Sequence, residues 1–227
     1  MKRTRLFPVV IAALFLVAAC SSPSSETRLP SGGVGAGGAA SDDNSDREFV
    51  HDLAIMNMAE IELSRMALQQ SVAADIKAFA QRLVEDHDGA AQKLKSVASA
   101  QSIEWPAQLD NTHRELANEL AAKQGADFDR EYIEAMIDGH ENVAARLESR
   151  LEVQSLAEWK TAAAGRAGTQ ALPEPAGAMR DVPLRPNNAG NEFARKINEW
   201  AAETYPVVQK HLDTARTLEN AIKKRTD

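Results

Sequence analysis

Residues 76–94 read IKAFAQRLVEDHDGAAQKL, and the spacing inside this stretch decides the fold. Ile76, Phe79, Leu83, Ala90 and Leu94 recur three, four or seven residues apart, with Val97 continuing the row. Charged or small residues fill the other positions. An apolar row at that interval lies along one face of an α-helix and must be covered by a neighbour. Ala, Leu, Glu, Lys and Gln dominate, while β-branched and aromatic residues are sparse, which favours helix over strand. The pattern predicts a helix over about 72–101. His87 stands near the middle of its apolar row.

The same pattern extends outward in both directions. Upstream, Phe49, Leu53, Met56, Glu60, Leu63 and Ala67 mark a helix over 46–70, with Ser45 or Asp46 as its cap. Only a tight turn near 71 separates it from the next helix, so the two form an antiparallel hairpin. Downstream, Trp105-Pro106 breaks the chain, and a shorter helix over 111–124 ends at Gly125 in the position of a C-cap. A third long helix, over 127–161, carries Ile133, Met136, His140, Val143, Leu147 and Leu151. Pro173, Pro175, Pro183 and Pro186 then mark a long loop over about 162–190. The last helix, over 191–223, carries Ile197, Trp200, Thr204, Val207, His211, Ala215, Leu218 and Ile222, and Pro206 should kink it. Four long helices and one short one predict an all-α domain over 46–223, an up-down four-helix bundle with a loop insertion.

Each long apolar row contains one group able to bind a metal or a proton: Glu60, His87, His140 and His211. Burying an ionisable group costs several kcal/mol unless it is paired. One carboxylate and three imidazoles could satisfy one another by hydrogen bonds, with Asp86 and Asp138 helping to orient the histidines. Alternatively they could hold an ion, and this donor set suits Zn, Fe, Cu or Mn. Two features weigh against a ferritin-type di-iron centre or good convergence. Di-metal carboxylate bundles use Glu-x-x-His pairs, whereas Val84, Ile137 and Val208 stand three residues before the histidines. A hairpin turn centred near Ser71 also sets His87 level with Ile55 or Met56, which leaves Glu60 about one turn (~6 Å) away.

Other chemistry is poorly supported. Met56 and Met66 read as core filler, and His51 and His113 as exposed residues near helix starts. No Ser sits in a Gly-x-Ser-x-Gly elbow. The glycines at 32–38 follow no strand and so form no phosphate loop.

The first twenty residues have a different character. Lys2, Arg3 and Arg5 precede an apolar stretch from Leu6 to Leu16, and Val17-Ala18-Ala19 then leads to the chain's single Cys, Cys20. The stretch is shorter than the ~20 residues of a membrane span. The order resembles the lipobox of bacterial lipoproteins, with a signal peptide over 1–19 and Cys20 as the lipidated residue. Several acyl chains on one residue hold a membrane firmly. Ser21 after the cysteine resembles sorting to the outer membrane, facing the periplasm. Residues 20–45, rich in Ser, Gly and Asp, read as a flexible tether. A single Cys offers no internal disulfide. The net charge is −7 before three N-terminal cations are removed, which disfavours nucleic acid as a partner. Protein partners are not readable.

Four segments carry a resemblance: AEIEL at 59–63, IKAFAQRLVEDHDGAAQKL at 76–94, ADFDREYIEAMIDGH at 126–140 and TYPVVQKHLDTARTL at 204–218. Together they resemble the bacterial domain-of-unknown-function family 4142, over roughly 46–222. That resemblance implies a ferritin-like bundle exported to the envelope, with no established activity. It places Glu60, His87, His140 and His211 on the family's characteristic positions. The 162–190 segment stands as an insertion against the usual connection, and Tyr205-Pro206 replaces Leu-Pro. The leading expectation is a non-enzymatic, lipid-anchored envelope protein that holds one metal ion through those four residues. The alternatives are a metal-free structural or interaction module and, behind both, an oxidoreductase or metal-storage protein.

Overall fold

The computed structural model describes residues 37–166 and 182–226, with side chains over 44–164 and 182–225. Its helices are α1 (Gly37–Gln70), α2 (Ala74–Ala100), α3 (Asn111–Ala121), α4 (Gly125–Glu148), α5 (Val153–Arg166) and α6 (Glu192–Thr226). Among the described residues there is no strand, only an isolated antiparallel bridge between Leu151 and Pro186. The long helices α1, α2, α4 and α6 make the bundle: α1 lies beside α2 and α4, and α6 lies beside the same two. None of the described helices is long and apolar enough to cross a membrane.

The apolar core is divided into two layers. One gathers Leu63 and Ala67 from the end of α1, Ile76 and Phe79 from the start of α2, Phe128 and Ile133 from the start of α4, and Leu218 from the end of α6. The other gathers Val50 and Leu53, Leu94 and Ala98, Leu147, and Ile197 and Trp200 from the opposite ends of those four helices. It follows that α2 and α4 run in the same direction, while α1 and α6 run against them. The segment 101–124, with α3 inside it, carries the chain back along the bundle. This single crossover is the connection of ferritin-like folds. Between the two layers, at the mid-height of all four helices, lie Glu60, His87, His140 and His211.

Several boundaries differ from those the residue pattern predicts. Helix α1 begins at Gly37 rather than near 46. Once a packed helix exists, each further residue adds one hydrogen bond, so Ala39, Ala40 and their neighbours extend it cheaply. Asp46 is therefore no cap: it is buried inside α1 and pairs with Arg150. The signal peptide, Cys20 and most of the 20–45 tether lie outside the described residues.

The helix expected over 127–161 is broken into α4 and α5, so the bundle carries two short helices rather than one. At the break the backbone turns to pair with 185–187: Glu152 N–H donates to Arg185 O at 2.9 Å, and Asn187 N–H donates to Arg150 O at 2.8 Å. The Glu152 carboxylate then accepts from the N–H groups of Gln154 and Ser155 and caps α5. Part of the expected 162–190 loop is thus ordered by packing. Val182 and Leu184 lie against the core, and 167–181 lies outside the described residues. Gly125 (φ +58°) opens α4 instead of closing α3. In α6, Val207 is exposed, and Tyr205 and Val208 take the buried positions beside it.

Candidate metal centre

The four groups singled out in the sequence meet in the middle of the core. Glu60, His140 and His211 are buried, and the His87 side chain is only 12% exposed. The three imidazole rings sit with centroids 5.3 to 5.5 Å apart. One ring nitrogen from each lies within 4.8 Å of the other two. Glu60 Oε2 is 3.1 Å from His87 Nε2, and Glu60 Oε1 is 3.5 Å from His140 Nδ1.

The predicted one-turn offset between Glu60 and His87 is closed by side-chain direction. Helical side chains lean toward their own N-terminus. Because α1 and α2 are antiparallel, Glu60 leans away from the hairpin turn and His87 leans toward it, so they meet halfway. Asn57, one turn before Glu60, is at His87's own level and places Oδ1 3.1 Å from His87 Nδ1.

Two of the histidines are oriented from outside the cluster. His140 Nδ1–H donates to the Met136 carbonyl at 2.8 Å. A carbonyl can only accept, so Nε2 is the acceptor nitrogen of the neutral ring. His211 Nε2–H donates to Asp86 Oδ2 at 3.0 Å, which makes Nδ1 its acceptor nitrogen. Metal-ligating histidines are commonly held this way, with the far N–H on a carboxylate or backbone carbonyl. Asp86 thus serves His211 on α6 rather than its neighbour His87. Asp138, the other expected orienting group, is exposed, and Met136 O does its work.

The cluster contains buried lone pairs that none of the described residues satisfies. Among the described residues, Glu60 Oε1 and Oε2, His140 Nε2 and His211 Nδ1 have no hydrogen-bond partner. The 3.1 Å approach of His87 to Glu60 is close but not aligned as a hydrogen bond. Native cores leave few buried polar atoms unpaired, and each needs a reason. The nitrogens that converge are those of the three histidines, and Glu60 lies beside His87 and His140, outside that trio. Unpaired buried acceptors next to three converging imidazoles are what a cation would satisfy, so the residues fit a metal ion.

Burial governs the acid–base state of the cluster. Desolvation pushes the Glu60 carboxyl above its ordinary range, opposed by the nearby His140 and His113. Desolvation also holds His87 well below 6.5, helped by His140 and His211. His211 is likewise lowered by burial, although its hydrogen bond to Asp86 pulls the other way. That same hydrogen bond is the main cause that lowers Asp86. Imidazoles held neutral are ready to donate to a metal without first losing a proton.

Two participants were not anticipated from sequence: Asn57, beside His87, and Gly139. A Cβ on Gly139 would stand 2.7 Å from Glu60 Oε1, so this glycine makes the space the carboxylate occupies. A signal was present: glycine inside a helix costs about 1 kcal/mol against alanine, and here it directly precedes a row histidine. On the side of the cluster toward the hairpin turn, Ser64 Oγ and Tyr132 Oη are hydrogen bonded at 3.0 Å and fully buried. His51 is exposed and His113 half-buried, hydrogen bonded to Asp110, so neither joins the centre.

Residues 33–170 match the family described as Domain of unknown function (DUF4142). The match takes in Glu60, His87 and His140 and ends before α6, which carries His211. No curated protein and no solved structure matches the chain.

Proposed function

The chain belongs to the DUF4142 family of unknown function, and from that premise and the buried donor cluster we propose that it is a metal-binding bundle of the cell envelope. A single transition-metal ion is held by Glu60, His87, His140 and His211, one donor from each long helix. The observation that carries this reading is the set of unpaired buried acceptors on Glu60, His140 and His211. Nitrogen and carboxylate donors suit Zn, Fe, Cu or Mn. Metal–nitrogen bonds of about 2.0–2.1 Å in a tetrahedral set put ligand atoms ~3.3 Å apart. Ring nitrogens now within 4.8 Å of one another would draw inward on binding.

The envelope part of the proposal rests on sequence. A basic start, an apolar stretch and small residues before Cys20 support lipid attachment there, at the outer membrane and facing the periplasm. Changing Cys20→Ser should release the protein from the membrane fraction, and retention there would sink the anchor.

For the metal, elemental analysis of purified protein should find about one ion per chain, lost in His87→Ala and in His140→Ala. Wild-type protein that carries no metal even after loading would end the reading. A second reading, a metal-free structural module, is favoured by the partners each histidine already has in Asn57, Met136 O and Asp86. The same measurement decides between them.

A further inference from the structure

The donors do not fill the middle of the bundle. On their other side, away from Ser64 and Tyr132, lies a partly open pocket of about 40 Å³, whose wall also includes the exposed Val207 and the part-exposed Asp86. Glu60, His87 and His211 line one end of it, and Leu53, Val143, Trp200 and Val208 line the other. His140 is not part of its wall. The far end is rigid: Leu53, Trp200 and Val208 are all buried, and the Trp200 indole N–H donates to the Ala90 carbonyl at 3.3 Å.

Size and polarity narrow what the cavity can take. Holding one water takes ~10–15 Å³, so this space accepts two or three atoms of that size. A sugar, a nucleotide, an amino acid or an aromatic ring is too large. A water needs two to four polar partners, and apolar pockets stay dry. Here the polar atoms at the inner end are the candidate metal donors themselves. Of the other polar residues in the wall, Asn57 and Asp86 are already engaged with His87 and His211, and Thr204 adds a single hydroxyl. The cavity is therefore shaped for a small molecule that offers an electron pair to the metal at one end and an apolar or compact body to the far wall.

We propose that this cavity is the binding site of a diatomic or triatomic ligand, of the chemical class of dioxygen, nitric oxide or azide, which coordinates the metal from the apolar side. The proposal rests on the metal-centre reading and deepens it. Glu60, His87 and His211, which would hold the ion, also form one wall of this pocket, so a small ligand lodged there would reach the ion from that side. Ligand choice would then follow from the volume of this space, which larger donors do not fit.

The test uses full-length protein loaded with Co(II), whose visible absorption reports on coordination, with azide as the probe. Azide should change the spectrum saturably, while imidazole, which is too large for the cavity, should leave it unchanged. Filling the space by Val143→Phe, or separately by Ala90→Leu, should keep the cobalt and the helical circular dichroism but weaken azide binding at least tenfold. Cobalt-loaded protein that ignores azide, that binds imidazole as well as azide, or whose filled variants bind azide undiminished would overturn the cavity proposal and leave the metal centre standing. Protein that takes up no cobalt would overturn both. The imidazole comparison is made on the wild type, so the size argument is decided even if both filled variants fail to fold.

Discussion

At the residue scale, the mid-helix glycines Gly89 of α2 and Gly139 of α4 make a matched pair. Gly139 has Glu60 Oε1 2.7 Å from where a Cβ would stand, whereas Gly89 has nothing within 4 Å. In an open helix position Gly→Ala stabilises by about 1 kcal/mol. Gly89→Ala should therefore raise unfolding free energy by roughly that amount and leave metal content unchanged. In Gly139→Ala the same gain is offset by crowding against the flexible end of Glu60, so stability should stay within ~1 kcal/mol. Metal affinity, by contrast, should fall at least tenfold, because the carboxylate is turned out of place. Urea unfolding and elemental analysis on the two variants check this, and equal metal content in both would remove Gly139 from the centre. The metal-free protein should also show opposing pH dependences. Glu60 is raised in the folded state, so the fold binds more protons than the unfolded chain as pH climbs from its ordinary value of 4.5. Its contribution to stability is full below 4.5 and is lost as pH rises through the raised value. His87 and His211 are lowered from 6.5, so the unfolded chain binds more protons below that value and stability rises as pH approaches it. Glu60→Gln should remove the first slope and keep the second, and parallel wild-type and variant profiles would show that Glu60 is not raised. The residues of the cluster were legible because each interrupts an apolar row. Gly139 and Asn57 were not, since neither belongs to such a row.

At the scale of elements, the apolar row through Leu147 and Leu151 is continuous, and it misled the residue pattern into one helix over 127–161. The reason is non-local. The backbone at 150–152 leaves the helix to pair with 185–187, more than thirty residues later, and no window along the chain can register that competition. Asp46 shows the same limit, since its position suggested a cap while its partner lies at that break, 104 residues later. Arg150, at that break, is 15% exposed, its guanidinium 4.0 Å from the centre of the Phe49 ring and paired with Asp46, which is 7% exposed. Removing one partner of a buried pair costs about 3–5 kcal/mol because the other charge is stranded. Asp46→Ala should thus lower unfolding free energy by about 3 kcal/mol, at the low end of that range because the Phe49 ring still faces the cation. Asp46→Ala combined with Arg150→Met should recover most of the loss. A double variant no more stable than the single one would mean that the aspartate acts through packing rather than charge.

At the scale of the whole molecule, the antiparallel α1–α2 hairpin could be read from its short turn, but the directions beyond it could not: the rows predict an up-down alternation, whereas α2 and α4 run the same way. A connection as long as 101–124 permits either a simple alternation or a return along the bundle, and only packing selects the return. The outcome is a core of two apolar layers with a polar layer between them, in which every long helix contributes to all three. A metal-free polar layer weakens such a core, because its unpaired acceptors have given up water for nothing. Metal binding should therefore be felt by the entire bundle. An ion that binds the folded state alone stabilises it by about 2.7 kcal/mol at a hundred times its dissociation constant. For a domain of this size that raises the melting temperature by roughly 5–10 °C. The shift should appear in the wild type on adding the metal that elemental analysis identifies, and reverse with a chelator. His140 is the best residue to remove, being 1% exposed and held by its own helix at Met136 O. His140→Ala should melt lower than the metal-free wild type, through the lost packing, and should not respond to metal. If the ion raises the melting temperature of wild type and His140→Ala equally, it binds elsewhere on the acidic surface, and the polar layer is then a hydrogen-bonded seam rather than a metal centre.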